Sequence, residues 1–398
     1  MPGTWRDIRL KQEESLSPRA TRSVNSRGRV NPEPECPVRS IFERDANRIQ
    51  YSEDFRRLRH KTQVFFNAKN DHVCTRMEHV MYVNSISTTI GRTLGLNQDL
   101  ISAIALGHDI GHAPFGHSGE RRLDRCLNNV NPELRFRHEY HSLRVVDRLS
   151  TRISHEKILS KCGLNLTYEV RDGIVSHCGE NYDEYVLHPD PHKDPAAIYT
   201  SEHRLMMPAT LEGCVVRLVD KIAYVGRDIE DAVRAKMMDY NEIPADVRHV
   251  LGETNGQIIN TLVVDLLENS YDRDEIRLSD ERGEALRRMI MVNNEKIYKN
   301  PMIKRYEANT NNVVDGLFEA VYGRVLRIFD RAEARTTPAG ALDTAGLDAE
   351  DRLGERLIKY IAEKAYEPGA LPEQVTADYI AGMTDGYALS IFEELYWL

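Results

Sequence analysis

Apolar residues recur along this chain at the spacing of a helix, and the strict alternation that a half-buried strand needs is scarce. Between Glu78 and Leu96 the period is carried by Met81, Val83, Ile86, Ile90 and Leu94. Between Pro208 and Met238 a buried stripe runs through Leu211, Val215, Leu218, Val219, Ile222 and Val225. Short helices are predicted between Asp45 and Arg59, and longer ones at His138–Leu149 and Tyr168–His177. The last third supplies more, near 246–270, 277–296, 304–332, 350–366 and 372–396. Two stretches interrupt the pattern: Asn181–Met207, rich in Pro, Asp and His, and Thr336–Asp348, rich in Ala, Gly and Thr. The fold class is therefore all-α, preceded by an irregular arm over residues 1–38 and without a convincing internal boundary.

Within this frame one segment is chemically crowded. Gly107-His108-Asp109-Ile110-Gly111-His112-Ala113-Pro114-Phe115-Gly116-His117-Ser118-Gly119-Glu120 follows a helix face made by Leu100, Ile101, Ile104 and Ala105. Adjacent His108 and Asp109 at a helix end can offer an imidazole nitrogen and a carboxylate oxygen to one cation, a pairing that suits borderline or hard divalent ions. Two further ligand candidates lie elsewhere. His79 sits near the start of the helix that ends at Leu96, and Asp220 falls on the apolar stripe between Val219 and Ile222. A core-facing aspartate is costly unless it is paired or binds a cation. His79, His108, Asp109 and Asp220 together could hold one divalent metal ion, of the series Mg, Mn, Co, Ni, Fe or Zn, and leave positions open for water and a phosphate oxygen. No additional ligands for a second ion are evident.

Composition narrows the setting. A net charge of −9 argues against a chain that coats nucleic acid generally, although a local basic pocket is compatible with it. The six cysteines are scattered, with no Cys-x-x-Cys pair, as in a reduced protein. No apolar run reaches membrane-spanning length, and Met1 is followed by polar, Arg-rich sequence rather than a signal peptide, so a cytoplasmic location is expected. No Walker or dinucleotide glycine loop is present.

The order His79 … His108-Asp109 … Asp220 resembles the HD-domain metal-dependent phosphohydrolases, and more narrowly the deoxynucleoside-triphosphate triphosphohydrolases of the dGTPase-like group. Three segments carry the closer likeness: Phe55 to Phe65 followed by Thr75-Arg76-Met77-Glu78-His79; Gly107 to Glu120; and Val219-Asp220-Lys221-Ile222-Ala223-Tyr224-Val225-Gly226-Arg227-Asp228-Ile229-Glu230-Asp231. The resemblance covers residues 39–236, read as the catalytic core, and is weaker over the C-terminal helical region 237–398, expected to pack on it.

That resemblance implies hydrolysis of a dNTP to the deoxynucleoside and inorganic triphosphate. The family's catalytic histidine falls on His117, which would protonate the leaving 5′ oxygen or position water. Glu120, three residues on, shares its helix side and could orient it, or could simply complement the helix N-terminus. His112 would be a phosphate contact or second acid, and His138 a further active-site histidine. Arg76 and Lys221 would meet phosphate, Tyr224 would pack beneath the deoxyribose, and Asp228 and Gln63 could bond the 3′-hydroxyl. Family members are commonly dimer-based homo-oligomers, tetramers or hexamers among them, so the arm could cross an interface. The exposed-looking cluster Lys299, Lys304 and Arg305 suits a solvated face, with an allosteric nucleotide as the alternative. Rival readings are an HD-type phosphatase or phosphodiesterase, and a nucleotide-sensing or single-stranded nucleic-acid-binding protein. No residue identifies the base.

Overall fold

The computed structural model describes residues 5–63, 74–151, 163–178, 183–200, 203, 206–332 and 335–396. Val64 and Phe65 of the first resembling segment, and Cys162, lie outside them. Helices dominate. The first part of the chain contains α1 (Trp5–Glu13), α2 (Ile41–Gln50), α3 (Glu53–Arg57), α4 (Arg76–Leu94) and α5 (Gln98–Gly107). The middle contains α6 (Gly116–Val130), α7 (His138–Arg144), α8 (Tyr168–Val175) and α9 (Leu211–Arg234). Beyond these come α10 (Ala245–Leu251), α11 (Asn255–Ser270), α12 (Asp280–Val292), α13 (Pro301–Ala332), α14 (Arg352–Glu363), α15 (Pro372–Ala381) and α16 (Asp385–Tyr396). The one sheet among the described residues pairs Val186–Leu187 antiparallel with Ile276–Arg277.

Local chemistry sets the helix starts near the site. Thr75 accepts from the Glu78 N–H while the Glu78 carboxylate accepts from the Thr75 N–H, a capping box that opens α4. Asn97 caps α5 and Thr210 caps α9 through their side-chain oxygens. The apolar faces of α4, α5 and α9 pack together with α2 and α8, so that α5 is buried along nearly its whole length. A second cluster forms where α13 meets α6, α15, α16 and α14.

Three expectations change. The predicted helix over 246–270 is two helices, because Gly252 takes φ 115°, closed to other residues at ordinary cost, and Thr254 then caps α11. The one over 372–396 breaks after Ala381 and resumes at Asp385, whose side chain accepts from the backbone N–H groups of Thr62 and Phe115, 2.9 Å each. The arm is less irregular than its composition suggests: Trp5–Glu13 is helical, and the rest is tied to this chain's own core by buried carboxylates. Asp45 pairs with Arg29, Glu169 accepts from Arg27 and Ser26, and Glu212 accepts from Thr21.

Candidate metal centre

The His-Asp motif follows α5 directly and is pinned by its own backbone. The Gly111 N–H donates to the Ser142 hydroxyl (2.9 Å), which donates to the His108 carbonyl (2.7 Å), while His141 Nδ1–H donates to the Gly111 carbonyl (2.7 Å). Contact with α7 is so close that a Cβ on Gly111 would stand 2.1 Å from the Ser142 nitrogen. Phe115 then takes a left-handed φ of 66°, unusual for a bulky side chain, with its N–H held by Asp385. That turn starts α6 and brings His117 and Glu120 beside His112 and His138.

Four side chains, from α4, α9 and the exit of α5, converge at the His-Asp motif. His79 Nε2 lies 2.9 Å from Asp220 Oδ1 and 3.7 Å from Asp109 Oδ2. His108 Nε2 lies 3.5 Å from Asp109 Oδ2 and 3.8 Å from Asp220 Oδ1. Ligand atoms about 2.0–2.2 Å from a shared cation stand roughly 2.8–3.6 Å apart, so these donors need little movement to share one. His108 Nδ1 is 2.7 Å from the Ala105 carbonyl, which can only accept; the ring proton is therefore on Nδ1 and Nε2 presents a lone pair. That Nε2 is buried and has no hydrogen-bond partner among the described residues. An orphaned imidazole lone pair beside two carboxylates is the chemistry of a divalent-metal ligand set, and the residues fit such an ion.

Charge is concentrated around Asp109. Burial works against its carboxylate, yet His108, His112 and Arg76 hold it well below the usual carboxylate range. Arg76, only 2% exposed, donates Nη1–H to Asp109 Oδ2 at 2.8 Å and lies 2.9 Å from His112 Nε2; its Nη2 donates to the Gln63 carbonyl at 3.2 Å. Asp220 is likewise pulled down, against burial, by His79 and His108.

Next to this group lies a second. Glu120 accepts from His138 N–H (2.9 Å) and His138 Nδ1–H (3.0 Å), and its other oxygen is 3.4 Å from His117 Nδ1. His112 stacks on His138 with ring centroids 3.9 Å apart, which joins the two groups. Burial disfavours a charge on His138, but Glu120 and Glu139 outweigh it and raise the imidazole well above its ordinary range. Glu120 is correspondingly held well below its own, burial notwithstanding, chiefly by His138 and His117. Burial, then Arg76 and His138, keep His112 neutral. His117, with 53% of its side chain exposed, is the group of this set that solvent and a substrate can reach.

The remaining expected residues are less converged. Lys221 is buried and its ammonium is turned to Glu184, 3.2 Å from the carbonyl and 3.4 Å from Oε2; Arg217 forks onto the same carboxylate. Tyr224 packs half-buried against the core. Asp228 accepts from the Tyr298 hydroxyl, and burial pushes its carboxyl up to about 7. Gln63 Oε1 is buried without a hydrogen-bond partner among the described residues. Lys299, Lys304 and Arg305 are exposed around the start of α13.

Sequence reasoning passed over His177, Glu184 and Tyr298 as site residues. His177 had a signal: like His108 it ends an apolar helix, and it donates Nδ1–H to the carbonyl three residues back (Ile174, 2.6 Å) just as His108 does to Ala105. Its Nε2 is 3.3 Å from His138 Nε2. Burial, then His108 and His138, depress it to about 3.

Comparison with known proteins agrees with this geometry. A family model described as HD domain matches residues 76–225, spanning His79, His108, Asp109 and Asp220, and one described as phosphohydrolase-associated domain matches 276–394. A deoxyguanosinetriphosphate triphosphohydrolase-like protein of Caldanaerobacter subterraneus subsp. tengcongensis is 37% identical over 381 residues, 96% of this chain and 92% of that one. The chain belongs to the dGTP triphosphohydrolase-like family of HD-domain phosphohydrolases. Proteins of the same description from Desulfatibacillum aliphaticivorans (33%; 97% and 96% covered) and Clostridium tetani (32%; 96% and 93%) are similar along nearly their whole lengths. As a member of this family the protein is a hydrolase of all-α fold. The five described cysteines form no disulfide, and no described helix is long and apolar enough to cross a membrane.

Proposed function

We propose that this dGTPase-like protein hydrolyses deoxynucleoside triphosphates to deoxynucleoside and inorganic triphosphate, with a divalent cation held by His79, His108, Asp109 and Asp220. One observation carries the reading: the orphaned His108 Nε2, faced by two carboxylates, lies beside a proton-handling group of His117, Glu120 and His138. When bound, the cation supplies Lewis-acid polarisation of the α-phosphate and charge neutralisation.

The chain's own residues do the rest. Arg76 and protonated His138 place positive charge around the reacting phosphorus, where pre-set donors are worth most. Glu120 holds the His117 ring by its Nδ1 side, leaving Nε2 to protonate the departing 5′ oxygen or to position water. His112, neutral and buried between Arg76 and His138, spaces the two groups. Lys221 reaches the triphosphate on exchanging Glu184 for it, and Tyr224 packs under the deoxyribose. Asp228, on exchanging the Tyr298 hydroxyl, and Gln63 are the proposed 3′-hydroxyl partners. The reading includes a homo-oligomer in the cytoplasm, which light scattering with and without dNTP examines.

The deciding experiment incubates purified protein with each dNTP and NTP in Mg²⁺, Mn²⁺ or Co²⁺ and separates the products. Deoxynucleoside and triphosphate are expected together. Release of monophosphate or pyrophosphate would sink cleavage at the α-phosphorus and 5′ oxygen.

A further inference from the structure

The HD-domain match ends at residue 225 and the phosphohydrolase-associated match begins at 276, yet the two regions meet at the turn between the His-Asp motif and α6. That turn brings no cap of its own. Phe115 stands at the N-cap position of α6 with φ 66° and makes no side-chain cap hydrogen bond. Gly116 follows at φ 61°, and a Cβ there would stand 2.9 Å from the Gln63 carbonyl oxygen. Consecutive left-handed residues, the first of them bulky, persist only where their surroundings hold them. His117 comes next, so any drift in this turn moves its ring.

Asp385, the first residue of α16 and buried, holds the turn from 270 positions away in sequence. Its Oδ1 accepts from the Phe115 N–H at 2.9 Å, and its Oδ2 accepts from the Thr62 N–H at 2.9 Å and from the Thr62 hydroxyl. Both oxygens accept, as those of an ionised carboxylate do, and a negative charge is favourable at the N-terminal end of α6. Lys61 makes a second tie. Its buried ammonium donates to the Ala381 carbonyl at 2.7 Å and to the carbonyl of His112, at the other end of the same turn. The segment that carries Lys61 and Thr62 is itself fixed on α4: the Lys61 carbonyl accepts from the Arg76 N–H at 3.0 Å, and the Gln63 carbonyl from Arg76 Nη2 at 3.2 Å. One C-terminal corner, residues 381–385, thus grips both ends of the turn that carries His112 into His117.

We infer that Asp385 is a positioning residue for His117, so that the phosphohydrolase-associated region sets the aim of this histidine without touching the substrate. Lys61 assists by fixing the other end of the turn. The assignment rests on the role proposed above for His117, and a double-mutant cycle separates the failure of one from the failure of the other.

Deoxynucleoside release from the best dNTP in Mn²⁺ is timed for the full chain as wild type, Asp385→Asn, His117→Ala and the double variant. Bound metal and urea melts are measured on the same samples. Asn keeps one acceptor oxygen and sets an amide N–H against a donor, so the turn loosens with little change in volume. A misplacement of about 1 Å near the chemistry can cost about 100-fold, and Asp385→Asn should lower kcat by about 10–100-fold with KM and bound metal unchanged. In the His117→Ala background the same change should cost less than about twofold, because the ring it aims is gone. An equal fold-loss in both backgrounds would make Asp385 merely structural and overturn the assignment. A kcat within about twofold of wild type in folded Asp385→Asn would overturn it too, leaving the role of His117 intact. Turnover of His117→Ala at the wild-type rate would overturn both. Thr62→Val, which removes only the hydroxyl bond to Asp385, repeats the cycle if Asp385→Asn does not fold. It should lose about threefold in kcat in the wild-type background and nothing in His117→Ala; no loss, or the same loss in both, overturns the assignment.

Discussion

Glu120→Gln tests the division of labour between the metal ligands and the proton-handling group. The substitution keeps the shape and one acceptor oxygen but removes the charge. In the structure that carboxylate accepts two hydrogen bonds from His138, at 2.9 and 3.0 Å, and faces His117 Nδ1 at 3.4 Å. Replacing a charge-assisted hydrogen bond by a neutral one costs about 1–1.5 kcal/mol, so the His138 pair together loses roughly 2–3 kcal/mol of stability. For a chain of this size that is a fall in Tm of about 10 °C or less. Turnover should suffer more. Loss of an oriented acid–base group is worth about 10²–10⁴-fold, and because His117 acts after binding, kcat should fall by that factor with KM little changed. Bound metal should not change, since Glu120 lies behind His138 and not among His79, His108, Asp109 and Asp220. The assay is deoxynucleoside release on the best dNTP, with metal content measured on the same samples. A kcat within about tenfold of wild type would reduce Glu120 to a structural partner of His138. Loss of metal alongside turnover would equally refute the division drawn here.

Other outcomes follow from neighbouring contacts. His117→Ala should keep its metal and lose about 10²–10⁴-fold in kcat, whereas Asp109→Ala should lose metal and activity together; metal analysis with single-turnover rates distinguishes them. Gly111→Ala drives a Cβ to 2.1 Å from the Ser142 backbone, and should cost about 3 kcal/mol or more in urea melts; a wild-type melting curve would contradict that packing. Buried Asp378 accepts from both Arg144 nitrogens and from Tyr366, and although burial opposes it, Arg144 and His141 hold its carboxyl below the usual range. Its contribution is therefore complete above the unfolded value of about 3.9 and is lost as pH falls through the lower folded value. The urea midpoint of wild type should drop on acidification below about pH 4, while Asp378→Asn should be weaker by about 3–5 kcal/mol at neutral pH and less pH-dependent. Equal slopes in the two proteins would assign the acid sensitivity elsewhere.

Much of this molecule is legible along the chain because helices are local. The periods through Met81–Leu94 and Leu211–Val225 became α4 and α9, and Thr75 and Thr210 capped them through contacts only three residues long. Failures came where a distant residue intervened. The 372–396 run breaks just before Asp385, whose side chain opens the next helix while it holds Thr62 and Phe115, more than 250 positions away in sequence, and the arm was ordered by Asp45, Glu169 and Glu212 rather than by its own apolar residues. Lys221 lies next to Asp220 in sequence, but successive helix positions point about 100° apart, and its ammonium meets Glu184 instead.

The sequence by itself determined the fold class and offered His79, His108, Asp109 and Asp220 as candidate ligands and Glu120 as a candidate partner of His117, through residue type and likeness to an HD centre. Only the tertiary structure decided what each atom faces. It set the two oxygens of Asp109 toward different histidines and brought His177 to 3.3 Å from His138, although 39 positions separate them. The physical reason is that an imidazole nitrogen is aimed by whatever accepts the proton on the ring's other nitrogen. Those acceptors, the carbonyls of Ala105 and Ile174 and the carboxylate of Glu120, have their places only once helices from separate parts of the chain have packed.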